Sequence, residues 1–217
     1  MNDRSWQLRR LTVMAMLVAL SFISVAFIRI PVVEFLKYEP KDVFLTIAGF
    51  LYGPVYGAVS AVAVAFVEFI TISDTGAIGL AMNILSSCLF VCTASFIYHR
   101  KRTLTGAVAG LVLGAVLMTG GMVLWNYLIT PVYMNVPRAA VAEMLLPVFA
   151  PFNLLKGGIN ASLTMMLYKS VSSALRSAKL LPPTETTKNK SRFPIWVVAL
   201  FLVISLVLVM LVWNGVI

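Results

Sequence analysis

Apolar residues run almost unbroken from residue 11 to residue 168, in blocks whose lengths suit membrane crossings. A helical crossing needs about 20 predominantly apolar residues. Residues 11–28 form the first block, and a polar connection over 29–42 follows it. The next block, 43–72, is too long for one helix. It is broken at Gly53-Pro54 and Gly57, so the pattern predicts two short helices joined by a tight turn. Ser73-Asp74-Thr75-Gly76 carries turn chemistry. A fourth helix is predicted over 77–98, ended by His99-Arg100-Lys101-Arg102, and a fifth over 103–129, stopped by Thr130-Pro131. After a connection over 131–143, a sixth helix is predicted over roughly 146–171. Residues 172–193 are polar and basic, contain Pro182-Pro183, and read as a flexible linker. Residues 194–212 form a seventh apolar span with no charge. The expected organisation is a membrane bundle over 1–176, a basic linker over 177–193 and an added transmembrane helix over 194–217.

Composition supports an all-α integral membrane protein. Of 217 residues, 60% are hydrophobic and 12% charged, against roughly 25% charged in soluble domains. The formal charge of +9 does not imply nucleic acid, because the basic residues sit in short clusters at the ends of apolar runs, as orientation signals do. With the N-terminus on the cytoplasmic side, twelve Lys and Arg fall inside and four outside, and Lys156 is left within the bundle. That asymmetry favours this orientation. The first block starts after Arg9-Arg10 and shows no small-residue cleavage site before Arg29 and Pro31, so it reads as a retained helix. Cys88 and Cys92 lie one turn apart on one helix, where a disulfide is poorly placed, and read as small packing residues.

The chemistry concentrates in Pro151-Phe152-Asn153-Leu154-Leu155-Lys156-Gly157-Gly158-Ile159-Asn160. Spacings of three and four put Asn153, Lys156, Gly157 and Asn160 on one helix face. A lysine at membrane depth costs about 2.5–3.5 kcal/mol on insertion scales unless something offsets it, so the face reads as a polar ligand site. Gly157 and Gly158 permit close approach of another backbone or a flat ligand. In the plainer reading Lys156 reaches the interface along its stem and the asparagines join helices. Asn126, flanked by Trp125 and Tyr127, is either part of an interfacial belt or of the site. Tyr38-Glu39-Pro40-Lys41-Asp42 is either a solvated turn with a helix start at Asp42 or a lining segment. Glu68 is read as approaching the outer surface through Thr71 and Asp74. Ala15 with Ala19, and Gly106 with Gly110 and Gly114, form small-residue ridges suited to helix packing in lipid. His99, within its basic cluster, reads as an orientation signal. No histidine pair, Cys–His set or intramembrane acid pair suggests a metal or catalytic dyad. No P-loop is present, so the chain is not expected to hydrolyse ATP itself, and without paired ionisable groups in its spans it is not read as an enzyme.

Three motifs in order carry a resemblance. Lys37-Tyr38-Glu39-Pro40-Lys41-Asp42-Val43 leads into a helix with Gly49 and then Gly53-Pro54. Asn126-Tyr127 precedes Thr130-Pro131, and Pro151-Phe152-Asn153-Leu154-Leu155-Lys156-Gly157 follows. Over about residues 11–175 the chain resembles riboflavin-specific S components of energy-coupling factor (ECF) vitamin transporters. The resemblance implies a six-helix bundle in a bacterial plasma membrane that takes riboflavin, as ligand rather than cofactor, on its outer side. It implies ligand contacts at Leu36, Tyr38, Glu39, Lys41, Asn126, Asn153, Lys156 and Gly157. It also implies that the Ala15 and Ala19 ridge meets a membrane scaffold subunit working with two ATP-binding subunits. The first loop is expected to close over the vitamin, and the loaded protein to reorient in the bilayer. The seventh span departs from the six-helix pattern. An S component for another vitamin or precursor remains open, as does an intramembrane enzyme or structural subunit.

Overall fold

The computed structural model describes residues 3–33 and 36–182. The seventh span and most of the linker therefore lie outside the described residues. Helix α1 (Asp3–Phe27) leads into a two-stranded antiparallel hairpin of β1 (Ile30–Val33) and β2 (Leu36–Tyr38). Helices α2 (Lys41–Tyr52), α3 (Pro54–Thr71), α4 (Gly76–Arg100) and α5 (Leu104–Met134) follow. A short α6 (Arg138–Met144) passes through a π-helical turn (Leu145–Phe149) into α7 (Ala150–Ser177). Among the described residues, five helical segments are long and apolar enough to cross a membrane. The all-helical membrane bundle expected from the hydrophobic pattern is present.

Helix α2 is the exception in length, at about 18 Å from 1.5 Å per residue. It does not span a core of about 30 Å. Nine of its twelve residues are buried, because it is apolar on every face below its first turn and sits among α1, α3, α4 and α7. Its end is set by Gly53, whose φ of +108° is open to glycine and strained for other residues, and Pro54 opens α3 with the ring geometry of a first helical position. The expected second break at Gly57 does not occur. Gly57 lies inside α3, where a Cβ would stand 2.7 Å from Val91 Cγ1 and 3.3 Å from Gly49 Cα. The Gly110 and Gly114 ridge is likewise an internal seam, facing the backbone of Ala94 and Phe90 on α4.

Three boundaries differ from expectation. Helix α5 runs through Pro131 to Met134 and stops at Asn135, which adopts a left-handed conformation (φ 53°). Proline this close to a helix end removes one amide donor without ending the helix. The connection expected before the sixth helix is itself helical from Arg138, and the π-helical turn holds Pro147 where a regular turn would want its amide. The polar residues from 172 onward begin as the last turns of α7, not as linker. The chain then turns at Lys179 (φ 58°) and lays Leu181 against Val13, Met14 and Leu17 of α1. Arg9 Nη1 donates to Lys179 O at 3.0 Å.

His99 does more than mark orientation. Its Nε2 lies 3.1 Å from both Gly49 O and Phe50 O. Carbonyls only accept, so Nε2 carries the hydrogen and closes the end of α2. Cys88 and Cys92 are free thiols.

Candidate functional site

The first turn of α2 carries two charges into the bundle. Lys41 and Asp42 are 1% and 0% exposed. Each finds its counter-charge on a different helix. Lys41 Nζ donates to Glu68 Oε1 and Oε2 of α3 at 3.0 and 2.7 Å and lies 3.5 Å from Glu39 Oε2. Arg29 Nε pairs with Glu39 Oε1 at 3.2 Å, so Glu39 ties the two legs of the hairpin together. Asp42 accepts from Ser87 Oγ of α4 at 2.6 Å and from Asn160 Nδ2 of α7 at 3.3 Å. Lys156 Nζ stands 3.7 Å from Asp42 Oδ2. Arg29, Lys41 and Lys156 thus balance Glu39, Asp42 and Glu68.

The hairpin aims Tyr38 inward, as strand alternation requires with Lys37 exposed beside it. Tyr38 Oη donates to Asn160 Oδ1 at 2.9 Å. Burial, with the Asp42 charge second, raises the phenol above its ordinary value, so the hydroxyl remains a donor. Asn160 therefore bridges the hairpin to Asp42. On the other side, Arg29 Nη1 donates to Ile72 O at 3.3 Å and Lys37 pairs with Asp74 at 3.6 Å, tying the hairpin to the α3–α4 turn.

Of the residues expected at a site, Tyr38, Glu39, Lys41 and Lys156 enter this network. Leu36 is half-buried beside it in β2. Asn153 and Asn126 are buried but stand apart from it. Asn153 Nδ2 donates to Phe149 O of the preceding turn at 2.8 Å. Asn126 Nδ2 donates to Met122 O at 2.7 Å and its Oδ1 accepts from Thr130 Oγ1 at 2.8 Å. Thr130 also lines a small apolar groove of about 40 Å³ between the start of α4 and the end of α5, with Ile78, Met82, Trp125 and Tyr133. Gly157 is filled by its neighbour helix: a Cβ there would lie 2.6 Å from Ala115 Cβ on α5. The close approach of another helix, one of its two sequence readings, is present at Ala115. Ala15 and Ala19 lie on the exposed face of α1.

Two acids were missed or misread. Asp42 looks in sequence like a helix-starting residue, yet it joins three helices. Glu68 does not reach the outer surface: it is 1% exposed and also accepts from Asn83 Nδ2 at 3.1 Å. The available signal was stoichiometric. Each lysine placed at membrane depth requires a carboxylate partner, and few acids lie near enough in sequence to an apolar helix to supply one.

Hydrogen-bond capacity separates the two lysines. Lys41 donates two hydrogen bonds to Glu68 and has Glu39 Oε2 as a further ion-pair partner at 3.5 Å. Lys156 has one ion-pair contact at 3.7 Å and no hydrogen bond, which leaves donors available. Asn153, one turn away on the same face, uses its amide nitrogen and leaves its carbonyl without a donor. α7 thus carries, three residues apart, an ammonium whose contact is the Asp42 ion pair and an amide whose nitrogen alone is hydrogen-bonded.

The chain is similar to the riboflavin transporter RibU of Staphylococcus aureus (strain TCH60), with 28% identity over 179 residues that cover 78% of this chain and 94% of that protein. It is similar to the riboflavin transporter FmnP of Bacillus subtilis (strain 168), with 30% identity over 164 residues covering 70% and 85%. A solved structure described as the S component of a bacterial ECF transporter superposes with a TM-score of 0.66 at 27% identity, covering 78% of this chain and 99% of that one. Residues 9–168 match the family described as ECF transporter, substrate-specific component, and the chain belongs to that family of membrane transport subunits.

Proposed function

We propose that this chain binds riboflavin at the outer end of the bundle and brings it into the cell as the substrate-binding subunit of an ATP-driven ECF transporter. The observation that carries the reading is on α7: the Lys156 ammonium, held by the 3.7 Å Asp42 ion pair and no hydrogen bond, and the Asn153 carbonyl three residues before it. Riboflavin is uncharged, with a flat apolar ring system ending in a uracil-like edge that alternates carbonyl acceptors with an N–H donor. Lys156 suits a ring carbonyl and Asn153 Oδ1 suits the ring N–H. Tyr38 and Leu36 on the hairpin cover the ring face and exclude water, while Glu39 and Asn126 flank the site. A few placed polar groups in an apolar pocket is the usual arrangement for a small ligand. The naming of similar proteins as riboflavin transporters supports the same ligand.

The N-terminus lies in the cytoplasm and the site faces outward, as the distribution of basic residues favours. The exposed Ala15 and Ala19 ridge of α1 meets the membrane scaffold subunit, and two ATP-binding subunits supply the energy. The hairpin closes over the vitamin, and the loaded protein reorients in the bilayer to release it.

The test is the visible spectrum of protein purified from cells grown with riboflavin, followed by titration of the stripped protein with riboflavin. A yellow preparation and saturable one-to-one binding are expected. Colourless protein that ignores riboflavin would overturn the ligand, and co-purification of a different vitamin would identify the replacement.

A further inference from the structure

Glu68 sits three residues before the end of α3, an acid buried in an apolar helix. Both its oxygens accept from Lys41 Nζ, at 3.0 and 2.7 Å, and Oε2 also accepts from Asn83 at 3.1 Å. With Glu39 Oε2 at 3.5 Å, Lys41 meets three carboxylate oxygens, and an ammonium has three hydrogens. Nothing remains for a ligand, and the side chain is 2% exposed. Lys156, by contrast, keeps its donors.

The position of Lys41 matters for a different reason. It opens α2 directly after the hairpin, three residues beyond Tyr38. Ser21 Oγ fixes its carbonyl at 2.8 Å. If its ammonium lost Glu68, Glu39 would be the nearest counter-charge, and Glu39 already serves Arg29. A buried charge left without its partner must find water, and the shortest route is to lift the adjoining hairpin away from α7. There, among the described residues, the hairpin is held by the Tyr38–Asn160 hydrogen bond.

We infer that Glu68 is a positioning residue for the ligand site: it satisfies the Lys41 charge internally, keeps the hairpin seated, and leaves Lys156 as the cation that meets the ligand. The affinity arm of the test rests on the riboflavin reading above; the exchange arm does not.

The experiment is a double-mutant cycle on the full chain in detergent, with Lys41→Met, Glu68→Gln and both together. The amide introduced by Glu68→Gln keeps an acceptor oxygen for Asn83. Hydrogen exchange of the hairpin amides is read without ligand, and riboflavin affinity by titration. Glu68→Gln alone should speed exchange at Leu36–Tyr38 by about tenfold or more and weaken riboflavin binding by a similar factor. Adding Lys41→Met should then reverse both changes, bringing affinity back to within about threefold of the starting protein. A lysine that touched the vitamin would do the opposite, since its removal would lower affinity in either background. That result, or hairpin exchange in Glu68→Gln equal to wild type, overturns the inference. Failure of the wild type to bind riboflavin would remove the ligand reading and leave exchange to decide. Should Glu68→Gln not fold, the double variant decides alone: near-native affinity and exchange support the inference, and slow exchange with lost affinity refutes it.

Discussion

Replacing Lys156 with methionine removes the ammonium while keeping a long unbranched stem. The structure sets the size of the effect. Lys156 Nζ has one partner, Asp42 Oδ2 at 3.7 Å, beyond hydrogen-bond distance. Asp42 retains Ser87 at 2.6 Å and Asn160 at 3.3 Å after the change, so the carboxylate is not stranded. The cost to folding should then fall below the ~3–5 kcal/mol of a broken buried pair, nearer the ~1–3 kcal/mol of a lost polar partner. For a chain of this size that is a Tm lower by roughly 2–4 °C per kcal/mol. The cost to binding is larger in proportion. A hydrogen bond from a charged donor contributes about 1.5–3 kcal/mol, and 1.4 kcal/mol is tenfold in affinity. Lys156→Met should raise the Kd for riboflavin by roughly 10- to 150-fold. The assay is the change in riboflavin fluorescence on titration with purified protein, held well below the variant's Tm. Asn153→Ala, which deletes the neighbouring acceptor, should weaken binding by about tenfold. Affinity within threefold of wild type in both variants would refute the assignment of this face as the ligand-reading edge.

Gly157→Ala should lower Tm, because the new methyl would stand 2.6 Å from Ala115 Cβ and overpacking costs about 1–3 kcal/mol; adding Ala115→Gly should recover part of the loss in thermal unfolding, and no recovery would mean that the α5–α7 contact is not the cause. His99→Ala should cost about 1 kcal/mol by freeing the carbonyls of Gly49 and Phe50, with riboflavin Kd unchanged because His99 closes the end of α2 remote from Lys41; a shift in Kd would show that the two ends of α2 are coupled.

Much of the bundle was legible because lipid imposes a strong rule. Backbone groups in hydrocarbon must be satisfied internally, so long apolar runs become helices and their ends follow charge and turn residues. Gly53-Pro54 gave its break correctly, since a φ of +108° followed by a ring is a geometry few other dipeptides accept. Gly57 misled, because the same residue serves close packing, and spacing alone does not separate the two uses. Pro131 and Pro147 misled for a related reason: proline near a helix end or in a π-helical turn forfeits one donor and no more. On α7, the three- and four-residue spacing placed Asn153, Lys156, Gly157 and Asn160 on one face, and all four are buried. The opposing acids were not readable in that way. Glu68 lies 27 residues from Lys41 in the chain, and Asp42 is 118 residues from Asn160. Periodicity along one helix says nothing about which distant carboxylate faces a given lysine.

The charge inventory of the site constrains what can occupy it. Arg29, Lys41 and Lys156 face Glu39, Asp42 and Glu68 across contacts of 2.7 to 3.7 Å. Such a cluster is a poor way to stabilise a fold, since desolvating each ion costs several kcal/mol and apolar residues of like volume do as well. Its value is geometric: Arg29, Glu39, Lys41 and Glu68 form one run of ion pairs and Asp42 pairs with Lys156, and with the Asp42 hydrogen bonds to Ser87 and Asn160 they tie the hairpin, α2, α3, α4 and α7 together. A ligand that brought a net charge would have to be balanced by breaking one of these pairs. An uncharged ligand with a carbonyl for Lys156 and an N–H for Asn153 Oδ1 would add to the network instead, giving hydrogen bonds to an ammonium held by a long ion pair and to an amide whose nitrogen alone is bonded. An acyl chain from the surrounding lipid supplies neither group. The proposed preference for a neutral heterocycle with an imide-like edge thus rests on the Lys156 ammonium and the Asn153 carbonyl, before any contact with the ring face is considered.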